Sequence, residues 1–189
     1  NEATSTMKQE MWDNACAAVG LRESSTGKWE TLPPGFGRDL SLQDGSLTPA
    51  SFEKLLQMMQ KKQINCQMVA DLGSEAGHAV ARFAFKPFVK QVTGIEIQFT
   101  WAAYSAIIML QLQSASQNNN SYFADTCIIH DSFLNTENHH WIHALQEADL
   151  CFCNNRNWEK SKKTNAVPKQ HQLLKGELKG SIDANLAEL

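Results

Sequence analysis

The chain has 189 residues, 42% of them apolar and 20% charged, which is the make-up of an ordinary globular protein with one core. Its formal net charge of -3 excludes a protein that coats nucleic acid by bulk charge. No apolar run approaches the ~20 residues that cross a bilayer. The longest, Trp101 to Leu112, is broken by Tyr104, Ser105 and Gln111.

The N-terminus, Asn-Glu-Ala-Thr, carries no signal-peptide pattern. The five cysteines (Cys16, Cys66, Cys127, Cys151, Cys153) are odd in number and scattered. They argue against a disulfide framework and for an intracellular, reducing compartment.

In chain order, residues 7 to 19 read as a helix, with Met7, Met11, Ala15 and Ala18 on one stripe and Gln9 and Asp13 opposite. Asn14 interrupts the stripe. Gly20 opens an irregular stretch to Asp44, stiffest at Pro33-Pro34-Gly35-Phe36-Gly37, which is either a lid over a pocket or a surface wrap. A helix then starts near Thr48-Pro49, where Thr48 can cap and Pro49 suits the first helical position. Phe52, Leu55, Leu56 and Met59 form its apolar face, and Lys61-Lys62 sit near its end.

Met68 to Leu72 reads as a strand, Gly73 to Gly77 as a small-residue turn, and the residues from Gly77 to about Phe85 as a helix stopped by Pro87. A strand that ends in a glycine-spaced turn and opens a helix places backbone N–H groups where a nucleotide or carboxylate can meet them. A second strand, Val92 to Ile97, ends on Glu96, the usual position of an acid that binds ribose hydroxyls. Together the two halves form a nucleoside-binding signal.

A helix follows from about Thr100 to Gln113, then a polar loop, Ser114 to Ser121. Cys127 to His130 reads as a short strand followed by Asp131-Ser132-Phe133, Trp141 to Gln146 as a helical turn or more, and Ala148 to Cys153 as a strand ending on Asn154-Asn155. Cys151 and Cys153 share one face of that strand. They lack the spacing of a zinc knuckle and read as small buried hydrophobes. His139, His140 and His143 read as a loop, not a metal site. From residue 156 onward seven Lys/Arg stand against four acids with no clear strand, and residues 169 to 178 can form a helix.

Strand and helix alternate as in a parallel, doubly wound α/β sheet, whose ligands sit at the carboxyl ends of the strands. The turn at 73–77, Glu96, Asp131 and Asn154-Asn155 all fall there. Three parts follow: an N-terminal helix and irregular arm over residues 1–43, a nucleoside-binding core over 44–156, and a basic, partly helical segment over 157–189.

The motifs, in order, are Gly45-Ser46-Leu47-Thr48-Pro49, Asp71-Leu72-Gly73-Ser74 with Gly77, Gly94-Ile95-Glu96, Asp131-Ser132-Phe133-Leu134, Trp141 and Asn154-Asn155. This set resembles the class I S-adenosylmethionine-dependent methyltransferases. Within them it is most similar to the histone-lysine methyltransferase family named for disruption of telomeric silencing, and to its microbial relatives.

The resemblance implies a Rossmann-like methyltransferase fold, with S-adenosylmethionine as cofactor and a protein lysine, of histone type, as acceptor. By it, Asp71, Gly73, Ser74 and Gly77 hold the methionine part and Glu96 binds the ribose. Asp131, Ser132 and Phe133 hold and cover the adenine, and Thr48 closes the pocket. Asn154 and Asn155 sit beside the transferred methyl group. A nuclear or cytoplasmic location is implied as well.

Two departures stand out. The family pattern is Asp-Leu-Gly-Ser-Gly-x-Gly, and Glu75 stands where its middle glycine belongs. Repulsion between that acid and the carboxylate of the cofactor is expected to cost on the order of 1–3 kcal/mol, unless a cation such as His78 or Arg82 offsets it. The family sheet also continues with three further strands that the last residues do not spell, so the sheet reads as truncated.

Two other readings share these features. One is a catalytically inactive methyltransferase fold serving as a structural subunit of a larger assembly. The other is a dinucleotide-dependent oxidoreductase, against which Asp131-Ser132-Phe133 and Asn154-Asn155 count. The partner expected is a protein substrate or assembly, with the basic C-terminal segment available to nucleic acid or another acidic surface.

Overall fold

A computed structural model describes residues 4–23, 29–31, 49–64, 66–131 and 139–153. Thr48, the Pro33 to Gly37 stretch, Ser132, Phe133, Asn154, Asn155 and the basic segment lie outside them.

The chain begins with helix α1 (Ser5–Ala18), capped by the Thr4 hydroxyl, which accepts from the Met7 N–H. Its buried stripe is Met11, Trp12, Ala15 and Cys16. Ala18 and Asn14 both face out, so Asn14 interrupts nothing, and the outward Gln9 donates to Asp13 at 2.9 Å. The expected irregular arm contains an antiparallel pair, β1 (Arg22–Glu23) and β2 (Trp29–Thr31). Strands of two and three residues are too short to show alternation.

Helix α2 (Pro49–Lys61) begins on the proline, whose missing N–H costs nothing at a first helical position, and it buries Phe52, Leu56 and Met59. Strand β3 (Met68–Leu72), helix α3 (His78–Ala84), strand β4 (Gln91–Glu96), helix α4 (Phe99–Asn118) and strand β5 (Asp125–His130) come next. Helix α5 (His139–Glu147) and strand β6 (Leu150–Cys153) end the described chain.

The four long strands form one parallel sheet in the order β5-β4-β3-β6. The chain winds outward from β3 to β5, then returns to pair β6 with the far side of β3. At that reversal the carboxyl ends of β3 and β6 lie side by side, Leu72 in register with Cys153. Val69 and Val92 of the sheet pack with Val80, Phe83, Trp101, Ile108 and Leu112, all buried, to form the core with the inner face of α1.

Helix α4 outruns its expected length because Ser114 to Asn118, polar as they are, remain helical, with the Asn119 side chain donating to the Ala115 carbonyl at 2.8 Å. Histidines 139, 140 and 143 lie on α5, not on a loop, and His143 pairs with Glu147 at 3.5 Å. Cys151 is exposed and Cys153 half-buried, contrary to the expectation of two buried thiols, because β6 is an edge of the described sheet. Burial, then the neighbouring Asp71, raises the Cys153 thiol, so it is not a ready nucleophile near neutral pH.

Gly77 closes the turn before α3 with φ +90°, and a Cβ there would stand 2.6 Å from Ser105 Oγ and 2.9 Å from Met109 Cε of α4. Gly77→Ala is therefore expected to destabilise the chain by about 2–4 kcal/mol, from left-handed backbone strain plus overpacking. Urea denaturation beside the unmodified chain checks this. A loss below about 1 kcal/mol would show that α4 yields easily.

Candidate functional site

The carboxyl ends of β3 and β4 bring Asp71, the 73–77 turn and Glu96 together. β3 and β4 pair in register, Asp71 beside Gly94 and Leu72 beside Ile95. Glu96 is 3% exposed. Its Oε2 accepts the Glu75 N–H at 2.9 Å and its Oε1 the Gln98 N–H at 2.8 Å, so one carboxylate ties the turn to the start of α4. Each oxygen keeps lone-pair capacity for a further donor such as a ribose hydroxyl.

The turn is less open in hydrogen bonding than expected. Gly73 and Ser74 both donate to the Ile95 carbonyl, at 2.8 and 3.2 Å, and Gly77 donates to Ser74 at 2.8 Å. With the Glu75 N–H on Glu96, four N–H groups are taken inside the protein. At seven residues and with no side-chain cap, α3 also lends little dipole. What the turn offers a ligand is shape. Gly73 is exposed at φ +76°, and a Cβ there would meet nothing within 4 Å, so the backbone borders open space. An exposed glycine edge beside a buried, hydrogen-bonded carboxylate fits a nucleoside with an amino-acid tail.

Glu75 adopts φ +48°, the left-handed conformation that a glycine would hold at no cost. Of the two residues expected to offset its charge, His78 is engaged elsewhere, its Nε2 2.7 Å from Glu23 Oε2, and Arg82 lies in the field of Glu23 and Glu53.

Asp131 follows β5, with its N–H donating to the Glu96 carbonyl at 3.1 Å, which sets its backbone beside Glu96. The sequence reading missed the neighbours of this corner. Ile97 and Phe99 are exposed at 45% and 69%, and Phe99 meets the His130 ring at 5.3 Å. Together they form an apolar edge next to Glu96. An isoleucine directly after a strand-ending acid, with a phenylalanine opening the next helix, was the available signal. A groove of about 540 Å³ between α2 and Lys86-Pro87-Phe88 lies at the amino end of β4, away from this site.

Asp71 is 2% exposed. Burial, and after it the charge of Glu96, pushes its carboxyl up to about 7. Burial also raises Glu96, against the N–H groups of Gln98, Glu75 and Ile97 and the charge of His130.

A parallel sheet of this order, with its glycine-edged turn and a buried acid at the end of β4, makes a class I methyltransferase fold whose residues fit S-adenosylmethionine. The chain belongs to the family described as histone methylation protein DOT1, which its residues 45–178 match. None of the curated proteins is a sequence match.

Solved structures with a similar fold include an O-methyltransferase from Bacillus cereus in complex with SAH, at 11% identity and a TM-score of 0.46. That match covers 80% of this chain and 55% of the other. The methyltransferase domain of bacterial CtHen1-C is similar at 15% identity and a TM-score of 0.33, over 42% and 38% of the two chains. The YcgJ protein from Bacillus subtilis is similar at 18% identity and a TM-score of 0.27, over 42% and 30%. The chain thus spans about half, or less, of the length of these structures.

Two outcomes follow from the site. Relieving the strained φ by Glu75→Gly is expected to raise stability by about 1 kcal/mol, read as a higher urea midpoint. Because Asp71 binds its proton more tightly folded than unfolded, stability falls as pH rises between its ordinary 3.8 and about 7. Asp71→Asn should shrink that fall in urea midpoints measured across the interval. An unchanged slope would remove Asp71 as its source.

Proposed function

We propose that this protein transfers a methyl group from S-adenosylmethionine to a lysine of a protein substrate, of histone type. The observation that carries the proposal is Glu96, buried at the end of β4 and bonded to the backbone of the turn, within a chain of the DOT1 histone methylation family.

When bound, S-adenosylmethionine supplies a methyl group already activated by its sulfonium. The chain then has to bind, orient and exclude water. Glu96 takes the ribose hydroxyls, and its own hydrogen bonds hold it still, so little ordering cost falls on binding. Asp71, Gly73, Ser74 and Gly77 shape the wall for the methionine part. Ile97 and Phe99 offer apolar surface for the adenine, and Asp131 is proposed to meet its edge. Thr48, Ser132, Phe133, Asn154 and Asn155 lie outside the described residues. The family resemblance proposes Ser132 and Phe133 for covering the adenine, Thr48 for closing the pocket and the two asparagines for aligning the incoming amine. Two buried acids, Asp71 and Glu96, favour a ligand that carries positive charge.

The basic residues of 156–179 are proposed to meet the acidic surface of the protein substrate or its assembly.

Calorimetric titration of S-adenosylmethionine into the full chain tests the proposal, with Glu96→Ala as the control. Expected is micromolar binding that the control weakens at least about a hundredfold, the loss of two charge-assisted hydrogen bonds. Labelled methyl transfer to lysine-rich protein substrates then follows. A folded chain that shows no binding at millimolar cofactor would overturn the proposal.

A further inference from the structure

Glu23 and His78 lie 55 residues apart in sequence, yet they form a buried pair outside the residues assigned to the cofactor. The His78 side chain is 8% exposed and that of Glu23 11%. His78 Nε2 lies 2.7 Å from Glu23 Oε2, which also accepts the Trp12 indole N–H at 2.9 Å. The imidazole stands between Trp12 and Trp29, with ring centroids 4.4 and 5.1 Å away, and Trp29 in turn meets Trp101 of α4 at 5.7 Å. Burial alone would raise the Glu23 carboxyl. The His78 hydrogen bond and charge, the Trp12 N–H and the charge of Arg82 outweigh it and hold the carboxyl below its ordinary range.

The position of His78 gives this pair its consequence. It is the first residue of α3 and follows Gly77, whose N–H closes the turn on Ser74 and whose Cα rests against α4. Helix α3 has only seven residues and no side-chain cap, so it cannot hold its own first turn. The anchor comes instead from the N-terminal layer, through a side chain that points back to β1.

We propose that Glu23 and His78 are positioning residues for the cofactor turn. The pair fixes the start of α3, and through it residues 73–77, so that docking of α1, β1 and β2 sets the affinity of the site for its cofactor. The affinity half of this proposal rests on the S-adenosylmethionine reading above. The turn-ordering half does not.

The test uses the full chain with Glu23→Gln, His78→Gln and the double variant. Two quantities are read: amide hydrogen exchange over residues 73–84 without cofactor, and calorimetric affinity for S-adenosylmethionine. Each single variant is expected to speed exchange in the turn about tenfold and to weaken affinity about five- to tenfold while the chain stays folded by circular dichroism. The double variant is expected to be no weaker than the worse single, as for two residues acting as one unit.

A pair that served stability alone would lower the melting temperature and leave the affinity of the folded chain unchanged, which would overturn the link to the cofactor. Unchanged exchange over the turn in folded variants would overturn the positioning role altogether. If the unmodified chain does not bind S-adenosylmethionine, the methyltransferase reading fails, and the exchange measurement still decides whether the pair orders the turn. Should either variant fail to fold, Trp12→Phe removes the N–H given to Glu23, together with part of the ring that packs on His78, while both members of the pair stay in place. It is expected to show the same two effects at about two- to threefold.

Discussion

The Glu96 carboxylate is the point on which the site depends. It receives one N–H from the turn after β3 and one from the residue that opens α4, and so ties those two segments together. A charge buried this deeply is costly unless its lone pairs are filled. Here the backbone fills part of each oxygen and leaves the rest for a ligand. Asp71, packed beside it, makes the same corner short of positive charge. The site is therefore built at some expense to the folded state, as binding corners commonly are.

Glu75 shows how such a turn tolerates the loss of its glycine. The path of the turn is dictated by hydrogen bonds from Gly73, Ser74, Glu75 and Gly77 to fixed partners, and these do not involve the side chain at position 75. The residue accepts a left-handed φ because the surrounding bonds overdetermine it. A change that alters charge and strain thus leaves the geometry in place.

Around the sheet, the N-terminal layer does more than add bulk. Its indoles and one carboxylate enclose His78, and α1 lies along α4, whose twenty residues carry no charged side chain. A helix apolar on nearly every side needs cover on more than one face. Trp101, Ile108 and Leu112 take the inner side, while Phe99 and Leu110 remain exposed at 69% and 63%.

What the sequence by itself determined was local. Apolar runs marked β3, β4 and β5, apolar spacing marked α1 and α2, and Pro49 and Pro87 bounded their neighbours, because side-chain periodicity and the geometry of proline act over a few residues. Alternation of these elements led to the parallel sheet, and the motifs at strand ends led to the turn and to Glu96. Tertiary structure alone decided the rest. The pairing of Glu23 with His78, the loss of the turn's N–H groups to Ile95 and Glu96, and the exposure of Cys151 on an edge strand all depend on which distant segments meet. No local pattern carries that information, since a hydrogen bond between residues 55 positions apart leaves no mark on the spacing of either.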